Sequence, residues 1–483
     1  MSDIEQLRKT KIICTIGPAT SDIEQLRKLF AAGMNIARLN MSHGTHSQAE
    51  AIIKNIKTLN KSATRPVAIL LDTQGPEIRT GDVDQNIHLK VGEEIEITVR
   101  DQNVENKSTI FVNYRDLIKD LNPGDRVTVD NGLINLDVIE KSEYGLKCRV
   151  VDGGLLKSRR HINLPGVRVN LPSITPKDEK DILFGLSQDV DFIALSFVRT
   201  AADIDECKRI IQRHNGHAQV IAKIEDHLGS ENYREIAASA AGLMIARGDL
   251  GVEVPIEDLP IIQRRIIKEC GEQGKKCIIA THLLESMIEN PFPTRAEVTD
   301  VANGVYEEAD ALMLSGETSV GKYPIKAVEF MHRICLRIER SGGLHWARNR
   351  QVTGVKPKLA SAATELADNL KADGMIVITR RGVMADTVSS FHPKFSPIFA
   401  FTNMSTVRRK MLLYRGVYPF RIDFSKDPEK TIQNAFNILL KRKILPINST
   451  VVVVSDILAG ENLVDAIQVR RLEEVKPLGV KDK

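Results

Sequence analysis

Between residues 192 and 315 five short apolar runs recur: FIALSF (192–197), QVIAKIE (219–225), GLMIA (242–246), KCIIAT (276–281) and ALMLS (311–315). Each is separated from the next by a stretch of helical periodicity. Apolar runs of this length, closed by polar residues, read as strands buried on both faces, and strands alternating with helices imply a parallel sheet. Toward the N-terminus the alternation continues: KIICTI (11–16) reads as a strand, SDIEQLRKLFAAG (21–33) as a capped helix ending in Gly33, and MNIARL (34–39) as a strand. A helix over 45–61 and the strand VAILLD (67–72) follow. Three strands before residue 81 and five after residue 190 make eight, the arithmetic of a TIM barrel. A doubly wound sheet would need a switch point and usually a Gly-rich fingerprint, and neither GxGxxG nor GxxxxGK[ST] occurs.

The two halves of the barrel pattern are interrupted. From 81 to 172 the chain offers alternating stretches such as EIEITVR, RVTVD and LKCRVV, broken by turn signals at Val91-Gly92, Pro123-Gly124, Asn131-Gly132 and Gly153-Gly154. That segment reads as a separate small β-barrel domain inserted as a lid. After the barrel, SGGLHWARNRQVTGVKPK (341–358) reads as a linker. It leads to a helix over 359–371, strands MIVIT, PIFAF, VYPFRI and VVVVS, and intervening helices, a third domain of α/β type. The expected fold is therefore α/β: a TIM (β/α)8 barrel over 1–80 and 173–340, the lid over 81–172 and a C-terminal α/β domain over 341–483. The octapeptide SDIEQLRK occurs at 2–9 and again at 21–28, each copy reading as a helix start with Ser as N-cap. No third copy follows, so a solenoid is excluded.

Bulk composition agrees. A chain of 483 residues, at about 150 per domain, suggests about three domains. Lys plus Arg is 67 and Asp plus Glu is 63, so the net charge is +4, too balanced for a main partner that is nucleic acid or an anionic membrane. With 42% hydrophobic and 27% charged residues, wholesale disorder is excluded. No apolar run approaches the roughly 20 residues of a membrane span, and the N-terminus has no signal-peptide core. The six cysteines form no CxxC and have no His at zinc-ligand spacing. Scattered thiols of this kind point to a reducing compartment, so a cytoplasmic protein is expected.

In a TIM barrel the reactive groups come from the C-terminal ends of the strands. Those ends supply Arg38, Asn40 and Ser42, then Asp72 and Thr73, then Ser196, Lys223 with Glu225, Asp249, Thr281, and Ser315 with Glu317. Any one of them alone would pass for a capping or solvated loop residue. As a ring they would not, because unrelated strand ends rarely all finish in polar residues. Lys223 and Glu225 are i and i+2 on one strand, so both point into the mouth. A structural ion pair is the bland alternative. Against it, Asp249 brings a second carboxylate from the next strand, and two carboxylates with room for water and substrate oxygens suit Mg²⁺. A lysine beside such a metal is placed to stabilise charge developing on a phosphoryl or enolate oxygen.

The motifs AKIEDHLG, MIARGDLGVE, IATHLLESM, PTRAEVTDVANGV, LMLSGET, ARLNMSHG, LDTQGPEIRTG and INLPGVRVNLP resemble, in content and arrangement, those of the pyruvate kinase family. The resemblance covers about residues 11–340 and, more weakly, the C-terminal domain. It implies phosphoryl transfer from phosphoenolpyruvate to ADP, followed by protonation of the enolate to pyruvate, in a cytoplasmic, glycolytic homotetramer. It further implies Lys223 as the transition-state lysine, with Glu225 and Asp249 holding Mg²⁺ or Mn²⁺. The N–H groups of Gly248 and Asp249 and the Thr281 hydroxyl would position the substrate carboxylate, and Thr281 would also serve the relay that protonates the enolate. Arg38 and Arg79 would bind phosphate, and Ser196 would line the substrate pocket. Arg79, Arg160, Asn40 and His43 would be nucleotide contacts, and Asn40, Ser42, Asp72 and Thr73 a K⁺ site.

Several positions depart from the family pattern: Asp226, Leu228, His282, Asn131, His161, and Arg160 in place of a nucleotide-binding lysine. In the C-terminal domain the loop expected to hold a sugar phosphate reads TRRGVM (379–384) and has lost most of its hydroxyls, and SDILAGENL (455–463) has no recognisable effector loop. Arg380 and Arg381 are either an anion site or a solvated basic turn. Two other functions stand beside the kinase reading. One is another Mg²⁺-dependent barrel enzyme of phosphoenolpyruvate or pyruvate that cleaves carbon bonds, which would have no need of nucleotide arginines. The other is a non-catalytic regulatory member of the family, which loss of Lys223, Glu225, Asp249 or Thr281 would mark; all four are present.

Overall fold

The computed structural model describes residues 7–83, 85–99, 109–167, 169, 171–459 and 462–473. Residues 2–6 of the first octapeptide copy lie outside them, as do Arg168 and Asn170 of INLPGVRVNLP and Gly460 and Glu461 of SDILAGENL.

Eight parallel strands close a barrel in sequential order. They are β1 (Lys11–Thr15), β2 (Ile36–Asn40), β3 (Ala68–Asp72), β4 (Phe192–Leu195), β5 (Gln219–Ile224), β6 (Gly242–Ala246), β7 (Lys276–Ala280) and β8 (Ala311–Leu314). The strands are apolar in their middles, with polar residues at their ends, because both faces are covered there. One set of side chains, including Ile12, Cys14, Leu71 and Ile193, packs against the surrounding helices. The alternate set, including Ile13, Ile36, Leu70, Ala194, Ile221, Met244 and Met313, fills the interior.

The helices carry local signals. His46–Ser62 starts in a capping box between Thr45 and Gln48. The helix Ile23–Ala32 ends at Gly33, whose φ of 108° is the left-handed conformation glycine adopts without strain. Its N-cap is Asp22, which accepts from the Gln25 N–H, and not Ser21 as the octapeptide suggested. Both residue types cap well; burial of Leu26 and Leu29 sets the register.

The insert forms a seven-stranded sheet and a two-stranded ribbon. A bridge between Thr80 and Val112 joins the sheet's two edges, beside Ile78–Arg79 and Thr109–Phe111. Contacts between the insert and the barrel include Asn163 Nδ2 donating to Glu253 Oε1 at 2.8 Å, the Arg199 guanidinium donating to the carbonyls of Val169 and Leu171, and the His161 ring standing 6.1 Å from that of Phe197.

The C-terminal sheet runs Val417–Arg421, Ile398–Thr402, Gly374–Ile378, Thr450–Ala459, Asn462–Arg471, and its last pair is antiparallel. That last strand is absent from the sequence reading. Val464 and Val469 on it are exposed, so it lacks the two-sided apolar run that marks the other four. The linker reading also needs correction. Residues 346–349 form a 3₁₀ turn with Ala347 buried and Trp346 packed on the barrel core, and the next helix starts at Val355. The sheet domain is fastened beneath the barrel by Lys276–Asp386 and Arg409–Asp191 ion pairs of 2.7 and 2.8 Å.

Candidate active site

The interior ladder of each strand continues upward into its end. Two residues beyond Ile13, Ile36, Leu70, Ala194 and Ile221 stand Thr15, Arg38, Asp72, Ser196 and Lys223, on the same face and therefore in the mouth. The core thus hands over to a polar layer within one strand period.

Lys223 is the hub. Its Nζ lies 3.0 Å from Asp72 Oδ1, 2.8 Å from Glu225 Oε1 and 2.7 Å from Ser196 Oγ. Asp72 also accepts from Arg38 Nε at 2.6 Å, and Arg38 Nη1 reaches Thr15 Oγ1 at 3.0 Å. Glu225 Oε2 accepts from the Phe197 N–H at 2.8 Å. Burial opposes the Lys223 charge, but Asp72 and Glu225 outweigh it and hold its pKa above the usual lysine value. Burial likewise works against ionised Asp72, yet Lys223 and Arg38 keep it below the usual carboxylate range. Glu225 and Asp249 behave in the opposite sense: burial raises both, and for Glu225 the Asp249 charge adds to the effect.

The balance of charge has a chemical consequence. Asp72, Glu225 and Asp249 are opposed by Lys223 and Arg38, so one negative charge is left over. No side chain among the described residues donates to the Asp249 carboxylate. A half-buried carboxylate to which no side chain among the described residues donates, next to a second whose pKa is raised by its presence, fits a divalent ion.

On the other wall, Thr281 follows β7 with φ 69° and His282 with φ 54°. Left-handed backbone at a β-branched residue is an outlier, and each such residue costs on the order of 1–3 kcal/mol. The Thr281 Oγ1 accepts from the Gly248 N–H at 2.7 Å and donates to the Ala280 carbonyl at 2.6 Å. Arg247 donates to the carbonyls of both Thr281 and His282.

Asn40 and Asp72 are directly paired across β2 and β3. Asn40 Oδ1 accepts from the Ser42 N–H at 3.1 Å, and Thr73 Oγ1 accepts from the Ser196 N–H at 3.1 Å. Asn40, Ser42, Asp72 and Thr73 thus stand at two adjacent strand ends and the loops after them. His43 is exposed on the loop that follows β2.

Arg79 ends the edge strand Ile78–Arg79 of the insert's sheet, just ahead of the boundary at 81, and Arg160 lies within the insert. Arg79 Nη2 meets Glu77 Oε2 at 2.6 Å, and its Nη1 donates to the Arg159 carbonyl. Gln74 Nε2 donates to the same Glu77 oxygen at 3.0 Å. Arg160 Nη1 stands 3.4 Å from Asp130 Oδ1, while its buried Nε has no partner. Among the described residues neither arginine pairs with a strand end of the barrel. Glu317 does not serve the mouth either: it accepts from the N–H groups of Leu284 and Ser315.

The sequence reading passed over Thr15, Phe197 and Arg247. Thr15 ends β1 and could have been read off with the other strand ends. Arg247 sits inside ARGDLG next to two residues that were chosen, but its partners are backbone carbonyls. Away from the mouth, a cavity of about 640 Å³ in the C-terminal domain is lined by Lys356, Arg380, Arg381, Ser425, Lys426 and Thr431 among others, which places the TRRGVM loop at its wall.

Comparison with known proteins gives a consistent result. Residues 7–328 match the pyruvate kinase barrel domain, and residues 358–469 the pyruvate kinase alpha/beta domain. Pyruvate kinase isozyme G, chloroplastic, of Nicotiana tabacum is 45% identical over 91% of this chain and 78% of its own length. The pyruvate kinase of Geobacillus stearothermophilus is 41% identical over 94% of this chain and 78% of its own. A crystal structure of a pyruvate kinase from Cryptosporidium parvum superposes with a TM-score of 0.92 at 35% identity, covering 98% of this chain and 97% of that one.

Proposed function

The chain belongs to the pyruvate kinase family and is a phosphotransferase, moving the phosphoryl group of phosphoenolpyruvate to ADP to give ATP and pyruvate; we propose that Lys223, Glu225, Asp249, Arg38 and Thr281 divide that work at the barrel mouth. Phosphoryl transfer is mostly positioning and charge neutralisation. Lys223, pinned at Nζ by three oxygens, is aimed at the charge that builds on the transferring phosphoryl. Arg38 adds a second fixed cation from the other side of Asp72. The N–H groups at Gly248 and Asp249 and the Thr281 hydroxyl, already in contact with Gly248, orient the substrate carboxylate. Thr281 then holds the proton relay that turns enolate into pyruvate, and Ser196, bonded to Lys223, lines the pocket.

Glu225 and Asp249 would hold a divalent ion, Mg²⁺ or Mn²⁺, which when bound neutralises phosphate charge and polarises substrate oxygens. Asn40, Ser42, Asp72 and Thr73 would hold K⁺. Arg79, Arg160, Asn40 and His43 would meet the nucleotide, with the insert, 81–172, acting as a lid over the barrel of 1–80 and 173–340. Its contacts with the barrel, Asn163–Glu253, His161–Phe197 and Arg199 with the Val169 and Leu171 carbonyls, support that role. The 341–483 domain, with its basic cavity, is assigned to regulation. A homotetramer is proposed on the family likeness, and light scattering tests it. Among the described residues no helix is long and apolar enough to cross a membrane. We place the enzyme in the cytoplasm on its six unpaired, buried thiols; cell fractionation tests this against an organelle such as the plastid named for the tobacco relative.

The observation that carries the residue assignment is the Asp249 carboxylate, to which no side chain among the described residues donates, beside the Asp72–Lys223–Glu225 chain. Pyruvate formation from phosphoenolpyruvate, measured with and without ADP, tests the reaction itself. Equal rates in the two arms would refute it.

A further inference from the structure

We infer that Arg247, anchored by Asp300, is a positioning residue for the protonation step: it holds Thr281 and His282 in their left-handed backbone and thereby sets the Thr281 hydroxyl. The inference rests on the role given above to Thr281.

The need for such a residue follows from the backbone. Thr281 and His282 are consecutive non-glycine residues with φ 69° and 54°. In that region Cβ crowds the following carbonyl, and a β-branched side chain is worst placed of all. A loop end free to relax would leave this conformation and carry the hydroxyl with it.

The means are equally specific. Arg247 donates from Nε and Nη2 to the Thr281 carbonyl at 3.2 and 2.7 Å, and from Nη2 to the His282 carbonyl at 3.1 Å. Its Nη1 reaches Asp300 Oδ1 at 2.8 Å, on the outer helix Arg295–Tyr306. The side chain is only 10% exposed, so water competes little for these carbonyls. A planar fork can bind two successive carbonyls and a carboxylate at once, whereas a lysine ammonium cannot reproduce that set. Meanwhile the next residue, Gly248, donates its N–H to the Thr281 hydroxyl. Two adjacent residues after β6 therefore grip Thr281 from opposite sides, one on its carbonyl and one on its hydroxyl. With its fork committed to protein oxygens, Arg247 acts on the reaction through Thr281 and not by touching substrate.

The test compares Arg247→Lys, Asp300→Asn, Thr281→Ala and the Arg247→Lys/Thr281→Ala double variant in the full-length enzyme. Steady-state constants, solvent exchange of the pyruvate methyl hydrogens and circular dichroism are measured for each. Arg247→Lys is expected to lower kcat and methyl exchange by about 10- to 100-fold, the scale of a misplaced catalytic group. Asp300→Asn is expected to move both in the same direction by less, and it carries the test if Arg247→Lys does not fold. On a Thr281→Ala background the Arg247→Lys change should cost less than about threefold more, because the group it positions is gone. Adding His282→Asn to Arg247→Lys should return part of the lost rate, since asparagine tolerates the left-handed region better. Exchange within about twofold of the parent in a folded Arg247→Lys variant, or a full multiplicative loss on the Thr281→Ala background, would overturn the inference alone. Undiminished exchange in Thr281→Ala would instead refute the role of Thr281 and this inference with it.

Discussion

Replacing Lys223 by Met removes one ammonium and three contacts, to Ser196, Glu225 and Asp72, at 2.7, 2.8 and 3.0 Å. Two independent estimates of the catalytic loss agree. Loss of one preorganised donor at a developing oxyanion costs about 2.7–4 kcal/mol, or about 10²- to 10³-fold in kcat. A unit charge about 4 Å from the transferring phosphoryl, at an effective dielectric constant of about 20, contributes about 4 kcal/mol. Folding stability is affected less than a broken buried pair would suggest, for which the usual cost is about 3–5 kcal/mol. Asp72 keeps Arg38 at 2.6 Å and Glu225 keeps the Phe197 N–H at 2.8 Å, so neither carboxylate is left bare. The expected variant is folded, binds Mn²⁺ by electron paramagnetic resonance with affinity close to the parent's, and forms pyruvate at least about 100-fold more slowly. Turnover within about tenfold of the parent, with Mn²⁺ bound, would show that Lys223 is a structural counter-ion and refute the reasoning.

Thr281→Ala is expected to slow methyl-hydrogen exchange of pyruvate more than phosphoryl transfer, since a hydroxyl can hold a proton relay but cannot neutralise phosphate; equal losses in the two assays would count against it. Replacing K⁺ by tetramethylammonium at fixed ionic strength should lower the initial rate, because Glu77, paired with Arg79 and Gln74, brings no surplus positive charge to the mouth; an undiminished rate would refute the requirement. Fructose 1,6-bisphosphate should shift the phosphoenolpyruvate saturation curve weakly or not at all, since the TRRGVM loop at the wall of the C-terminal cavity supplies two guanidinium groups and a single hydroxyl. A strong leftward shift at micromolar concentration would contradict this. His332 lies 3.0 Å from Arg8 Nη1, and burial together with that charge lowers its pKa to about 4. The unfolded chain therefore takes up this proton first as pH falls, so the stability from a neutral His332 is complete above about pH 6.5 and declines toward pH 4. Urea midpoints between those limits should fall less steeply in His332→Gln, and parallel slopes would refute the assignment.

Features that depend on neighbours a few residues apart can be read along the chain. The eight barrel strands are legible because two-sided burial makes the middle of each one apolar. Lys223 and Glu225 share a face because side chains alternate every residue, and the Thr45 and Gly33 ends are visible because caps are local bonds. The motifs added a family, and with it an activity. Tertiary structure alone decided which of these groups meet. Arg38 is 34 residues from Asp72, and Lys223 is 27 from Ser196. The Arg247 fork closes on carbonyls of Thr281 and His282 that every residue possesses and no pattern marks. The 3₁₀ turn around Trp346 lay hidden for the same reason, since packing against a distant core leaves no period in a Gly- and Arg-rich stretch. The edge strand Asn462–Arg471 escaped because it carries no continuous buried run and its Val464 and Val469 stay exposed. Periodicity records burial along a chain. Ion pairs, grips on backbone and charge balance at a mouth are set by where remote ends of the chain converge, and that information exists only once the barrel has closed.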